Sequence, residues 1–160
     1  FCERLADLSG EKVRLPTEAE WEYACRAGTD QDFFFTLEGR YLEETQIPPA
    51  HARTLCDFAW CELNSMEETK SVGLKRPNPF GLYDMVGMLW EWCEDDWHED
   101  YSGAPVDGSA WIDESGAHET KVLRGGAWDM GPFRCRSSYR SYDGVRLGTS
   151  RFGLRVLVEI

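Results

Sequence analysis

Apolar positions at the start of the chain recur at helical spacing. Phe1, Leu5 and Leu8 fall on one face with Gly10 placed to stop the turn, which predicts a helix over residues 1–9. The helical pattern is under way at the first position, so further residues are expected upstream of Phe1. A second helix is predicted over 17–27. Thr17 and Glu20 have the spacing of a capping box, Trp21, Ala24 and Cys25 form an inward stripe, and Gly28 follows as the stop. The period is then lost. Residues 29–80 read as mostly loop, punctuated by Phe33-Phe34-Phe35, Pro48-Pro49 and Pro77-Asn78-Pro79. Further on, the β-branched, alternating stretches 121–128 and 152–158 read as short strands with Gly-rich turns between elements. Two helices followed by short strands and many irregular loops predict an α+β domain, without internal repeats or low-complexity tracts.

At 160 residues the chain is long enough for one domain with a real core, and seven Trp supply large side chains for it. No apolar run is long enough to span a bilayer, so membrane insertion is not expected. The net charge of −12 argues against nucleic acid and anionic membrane as partners. Six cysteines lie at 2, 25, 56, 61, 93 and 135, with no Cys-x-x-Cys pair. Buried free thiols are the simplest reading, and they favour a reducing compartment. His51, His98 and His118 are scattered and read as solvated loop residues. The acidic run Glu94-Asp95-Asp96 reads as a solvated turn. Nothing has the pattern of a catalytic triad or a phosphate loop.

Residues 129–151 depart from the rest of the chain. Glu, Lys, Gln, Met and Trp supply 32 of the first 128 residues, a rate that would put about six in these 23 positions, yet only Met130 occurs. Five Arg against Asp129 and Asp143 give the segment a net charge of +3, which leaves −15 on the remainder. A stretch rich in Tyr, Ser, Gly and Arg between two strands has the composition of a binding surface and suits a partner with some acidic surface.

Several motifs resemble the formylglycine-generating-enzyme, or sulfatase-modifying factor, domain. They are Arg14-Leu-Pro-Thr-Glu-Ala-Glu-Trp-Glu-Tyr-Ala-Cys-Arg-Ala-Gly28, Asn78-Pro-Phe-Gly-Leu-Tyr-Asp-Met85, Trp90-Glu-Trp92, Arg124-Gly-Gly-Ala-Trp128 and Phe152-Gly-Leu-Arg155. The resemblance runs in order over nearly the whole chain. It implies a C-type-lectin-like fold with few regular elements, and family strands upstream of Phe1. Activity does not follow from fold alone. The enzyme oxidises a peptide cysteine with copper held by two cysteines, whose positions fall near Trp128 and Pro132. Neither is a thiol, and Cys135 is the only cysteine after Cys93. One soft ligand does not make the two-thiolate site, so no copper is expected. The family's partners for Cys2 and Cys25 are also replaced, by Val156 and Ser137. Related sulfoxide synthases take iron ligands from a separate helical domain outside this pattern. The resemblance further implies a structural calcium ion on the side chains of Asp84 and Glu91 and the carbonyls of Gly87 and Leu89, oxygen donors suited to a hard cation.

Within the family, the chain is most similar to the variable proteins of diversity-generating retroelements. Those proteins acquire residues by mutation of template adenines in codons that end in a pyrimidine, which excludes Glu, Lys, Gln, Met and Trp. Their fixed pattern matches Arg124-Gly-Gly-Ala-Trp128 followed by Cys135-Arg-Ser137; Met130 departs from the codon rule. The resemblance implies ligand contacts from Asp129, Met130, Gly131, Phe133, Arg134, Ser138, Tyr139, Ser141, Tyr142, Asp143, Val145, Arg146, Leu147, Thr149, Ser150 and Arg151. Phe133, Tyr139 and Tyr142 would be rigid anchors, Arg134, Arg146 and Arg151 charged forks, and the short polar residues adaptable hydrogen bonders. The ligand is expected to be a protein or cell-surface molecule of unknown identity. The alternative is an enzyme-associated or regulatory domain of the same fold without copper oxidase activity.

Overall fold

Thr17 starts the second helix as the sequence predicts. Its hydroxyl accepts the Glu20 N–H at 3.1 Å, and Glu20 Oε2 accepts the Thr17 N–H at 2.8 Å, closing the capping box. The computed structural model describes residues 1–35, 49–113 and 119–159. Helix α1 spans Cys2–Ser9 and ends on Gly10 at φ 75°. Helix α2 spans Glu18–Arg26. Its left-handed cap is Ala27, one residue before the predicted stop.

A third helix, α3, spans Pro49–Phe58 where the sequence reads as loop. Pro48-Pro49 looks like a break, but Pro49 is the first helical residue, where a missing N–H removes no helical hydrogen bond. Its buried Leu55 joins Trp21 and Cys25 of α2, Phe33, Met85 and Val86 in the main core. Each large side chain of this kind contributes roughly 1.5–3 kcal/mol through burial. Among the described residues no helix is long and apolar enough to cross a membrane.

Strands β1 (Lys12–Arg14), β2 (Trp90–Asp96), β3 (Thr120–Arg124), β4 (Arg140–Gly144), β5 (Phe152–Gly153) and β6 (Leu157–Glu159) form two sheets. One pairs β1 with β6 antiparallel; the other runs β4-β3-β2-β5, with β2 and β5 parallel. The predicted strand over 152–158 is therefore two short strands in different sheets. The stretch 129–151 is not one loop between frames. It contains a 3-10 helix, Pro132–Cys135, and the edge strand β4, paired to β3 with Val122 opposite Tyr142.

The Glu94-Asp95-Asp96 run is also not a solvated turn. It ends β2, and Asp95 and Asp96 are buried. Asp95 accepts the Glu18 N–H at 2.7 Å and the Trp111 N–H at 2.9 Å. Asp96 accepts the Asp113 N–H at 2.8 Å and pairs with Lys121 at 2.8 Å. These carboxylates organise the segment that follows β2. His98 is not solvated either: it stacks on Trp111 with 3.6 Å between ring centroids. His51 lies in α3, half-buried, and His118 lies outside the described residues.

Candidate functional site: an exposed face over a charged anchor

The candidate surface hangs from one fully buried cation. Arg124, the last residue of β3, donates to Glu18 at 3.2 Å, to Glu22, and to the carbonyls of Ser137 at 2.6 Å and Ser138 at 3.3 Å. Arg140 at the start of β4 grips the same Glu18 with two donors at 2.6 and 2.8 Å, and donates to the His98 carbonyl at 2.9 Å. Its guanidinium lies 4.6 Å from the Trp97 ring centre and 4.3 Å from that of Tyr101. Both cations are neutralised by helix α2, so the burial that would be costly for a lone charge is offset. Sequence reading passed over Glu18, Glu22 and Arg140. For Glu18 and Glu22 the one available signal was their place inside the motif 14–28; Arg140 lies outside every quoted motif, and charged residues ordinarily read as surface.

Three residues omitted from the candidate set, Pro132, Cys135 and Ser137, are buried. Ser137 donates its N–H and its hydroxyl to the Asp32 carbonyl, each at 2.9 Å. The 3-10 helix presses on the Gly125-Gly126 turn. A side-chain carbon at Gly126 would lie 2.6 Å from Cys135 Sγ, and Gly126 holds φ +82°, so only glycine allows this approach.

None of the sixteen candidate residues is buried. Arg134, Ser138, Tyr142, Val145, Arg146, Leu147, Thr149, Ser150 and Arg151 are exposed, and the rest are half-buried. Contacts gather one group around β5 and the 3-10 helix. Arg151 pairs with Asp129 at 2.6 Å, Arg134 reaches the Met130 sulfur, and Phe133 meets Tyr139 edge-on at 5.7 Å. Tyr139 also packs against Trp90, and the Ser150 carbonyl accepts the Trp128 indole N–H at 3.2 Å. A second group sits on the opposite edge of the sheet. There Tyr142 stacks on Trp97 at 4.5 Å and Arg146 faces Glu119 at 3.6 Å. The candidate residues thus form two groups at the two edges of one sheet.

The oxygens expected for calcium differ in their freedom. Asp84 lies at φ +57°; its Oδ2 accepts the Gly73 N–H at 2.7 Å, and its buried Oδ1 has no hydrogen bond. Glu91 is committed. Oε2 accepts the Trp21 indole N–H at 2.7 Å and Arg155 Nε at 3.0 Å, and Oε1 accepts Arg155 Nη2 at 2.9 Å. The Gly87 carbonyl accepts the Leu89 N–H at 3.0 Å. Of the two carboxylates, only Asp84 therefore keeps an oxygen without a hydrogen bond, while Glu91 would have to release Arg155 to reach a cation.

At the positions expected for copper thiolates, Trp128 is half-buried and Pro132 opens the 3-10 helix. All six cysteines are free. Burial pushes the Cys135 thiol well above its ordinary range, and pushes Cys25 up to about 12 and Cys61 up to about 11. Thiols held protonated in this way are poor nucleophiles.

A family model of the sulfatase-modifying factor enzyme 1-like domain matches residues 1–160. The formylglycine-generating enzyme of Thermomonospora curvata is 34% identical over 136 residues, which cover 79% of this chain and 40% of that relative. Among solved structures, PvdO from Pseudomonas aeruginosa superposes with a TM-score of 0.84 at 34% identity, covering 99% of this chain and 57% of its own. Treponema denticola variable protein 1 superposes with a TM-score of 0.71 at 30% identity, covering 91% and 47%. The chain spans about two fifths to three fifths of these proteins. The architecture is the C-type-lectin-like one of the formylglycine-generating-enzyme type.

Proposed function

We propose, from the premise that this chain belongs to the sulfatase-modifying factor enzyme 1-like domain family, that it is a ligand-binding variable protein diversified by a retroelement. The observation that carries this reading is a coincidence of two independent patterns. Residues that adenine mutagenesis cannot produce are nearly missing from 129–151. Within that segment, the residues assigned as diversified are exposed or half-buried, whereas Pro132, Cys135 and Ser137 are buried. A fixed scaffold with a changeable skin needs that division of labour. The likeness to a variable protein supports the same reading. The ligand is a protein or cell-surface molecule, recognised by Phe133, Tyr139 and Tyr142 as anchors and by the exposed arginines. Copper oxidase activity is no part of the proposal, because Trp128 and Pro132 carry no thiol. A structural calcium ion on Asp84, Gly87, Leu89 and Glu91 is part of it, supported by the open Asp84 oxygen.

The test reads the surrounding DNA and the chemistry together. A nearby reverse-transcriptase gene is expected, with a near-copy of the coding sequence for 129–151 that differs only at adenines. The protein given copper and a cysteine-containing peptide is expected to consume no oxygen. A family enzyme would instead turn over the peptide. Copper-dependent oxygen uptake, or a near-copy differing at other bases, would overturn the proposal.

A further inference from the structure

Two stacked ring pairs wall a cleft of about 480 Å3 at the β4 edge of the sheet. Trp97 and Tyr142 stack at 4.5 Å with 29° between ring planes; His98 and Trp111 stack at 3.6 Å and 2°. The remaining wall is acidic. Glu99 and Asp100 are both exposed, and among the described residues neither is in an ion pair. Asp100 Oδ1 accepts the Ser102 N–H at 2.8 Å, which fixes the carboxylate and leaves its charge uncompensated.

The chain already shows what such a combination holds. Arg140 lies against Trp97, which also lines the cleft, and against the Tyr101 ring, and makes a two-donor fork to Glu18. The cleft offers the same kinds of group, aromatic rings and carboxylates, with no Lys or Arg among the residues that line it. The chain's net charge of −12 adds a favourable field for a positive group. We propose that the cleft receives an arginine side chain of a protein ligand. The guanidinium would lie against the aromatic wall and be held by Glu99 and Asp100. A planar, weakly hydrated guanidinium suits stacking and carboxylate pairing together, which a compact ammonium does less well. Three walls are fixed scaffold, and Tyr142 belongs to the segment read as diversified. The inference therefore rests on the proposed function for the claim that the cleft's occupant is a displayed choice.

Titration of the full chain with acetyl-Gly-Arg-Gly-amide, followed by the indole N–H resonances of Trp97 and Trp111, tests it. Saturable shifts of both resonances are expected. Glu99→Gln with Asp100→Asn should weaken the interaction about fivefold, as should screening by salt. Tyr142→Ala should weaken it too, while a citrulline peptide, with an uncharged urea in place of the guanidinium, should give no saturable shift. Equal shifts with the citrulline peptide, saturable shifts with maltose instead (a sugar site), or no shift with the arginine peptide would overturn the inference. The proposed function fails separately. An adenine-mutated near-copy without peptide binding sinks the cleft alone, and peptide binding without a near-copy leaves a cation-binding site on an undiversified surface.

Discussion

Asp84 and Glu91 carry the same charge in neighbouring turns of chain, and their surroundings give them different work. Glu91 is satisfied by Trp21 and by both arms of Arg155, so its charge is compensated inside the protein. Asp84 has one oxygen buried with no hydrogen bond. A buried acceptor left in that state costs about 1–3 kcal/mol. A cation would remove the cost at Asp84 but would compete with Arg155 at Glu91. Calcium is therefore expected to raise the melting temperature of the wild-type chain, and that of Arg155→Gln more per bound ion, since Glu91 is then open. Binding of the native state alone at a hundredfold excess over Kd contributes about 2.7 kcal/mol. A chelator should reverse the rise, and Asp84→Asn should abolish it. Identical melting curves with calcium and with chelator, in both the wild type and Arg155→Gln, would remove the ion from the account.

Among the elements, the Gly125-Gly126 turn controls how the candidate surface is mounted. It turns the chain out of β3 and receives the 3-10 helix so closely that Cys135 Sγ fills the place of a side chain at Gly126. Gly126→Ala adds left-handed strain and overpacking at once, and should cost about 2–5 kcal/mol, read as a lowered denaturation midpoint. Gly28→Ala, also at positive φ but with open space around it, should cost only the strain. Equal losses in the two variants would show that the 3-10 helix does not sit on the turn. Helices α1 and α2 were legible because local signals, the apolar spacing, the capping box and Gly10, agree with the fold. Helix α3 was not, since its Pro49 reads equally well as a breaker and as a first helical residue. Strand β4 was hidden for another reason. Arg140-Ser-Tyr-Asp-Gly144 has no strand pattern of its own, and its pairing comes from β3. Composition set 129–151 apart and the resemblance supplied its candidate residues, but neither pointed to the buried charges beneath them. Arg124 and Arg140 become interior only when Glu18 and Glu22 are brought to them from more than a hundred residues away.

For the molecule as a whole, the central question is whether the surface can change while the body stays folded. Stability resides in the packing of α2, α3 and β2 and in the ion network around Arg124, whereas the ends of Tyr142, Val145 and Leu147 are exposed. These three side chains are 51%, 51% and 57% exposed, and they contribute little burial to lose. Tyr142 does stack on Trp97, a contact worth about 0.5–1.5 kcal/mol, and Asp143 only accepts the Gly144 N–H beside it. Replacing Tyr142, Asp143, Val145 and Leu147 together by Ala or Ser should therefore cost about 1–2 kcal/mol, a fall in melting temperature of roughly 2–8 °C. Trp21→Ala, which empties the core and frees a hydrogen bond of Glu91, should cost about 3–5 kcal/mol or more. Binding should show the reverse order. A partner that binds the wild-type chain should be lost by the fourfold variant, because aromatic and central contacts carry most interface energy. The Trp21 variant should still bind wherever its folded fraction persists. A fourfold variant that unfolds like Trp21→Ala would make 142–147 part of the scaffold, and one that keeps full affinity would place the binding surface at the other edge, around Phe133 and Tyr139.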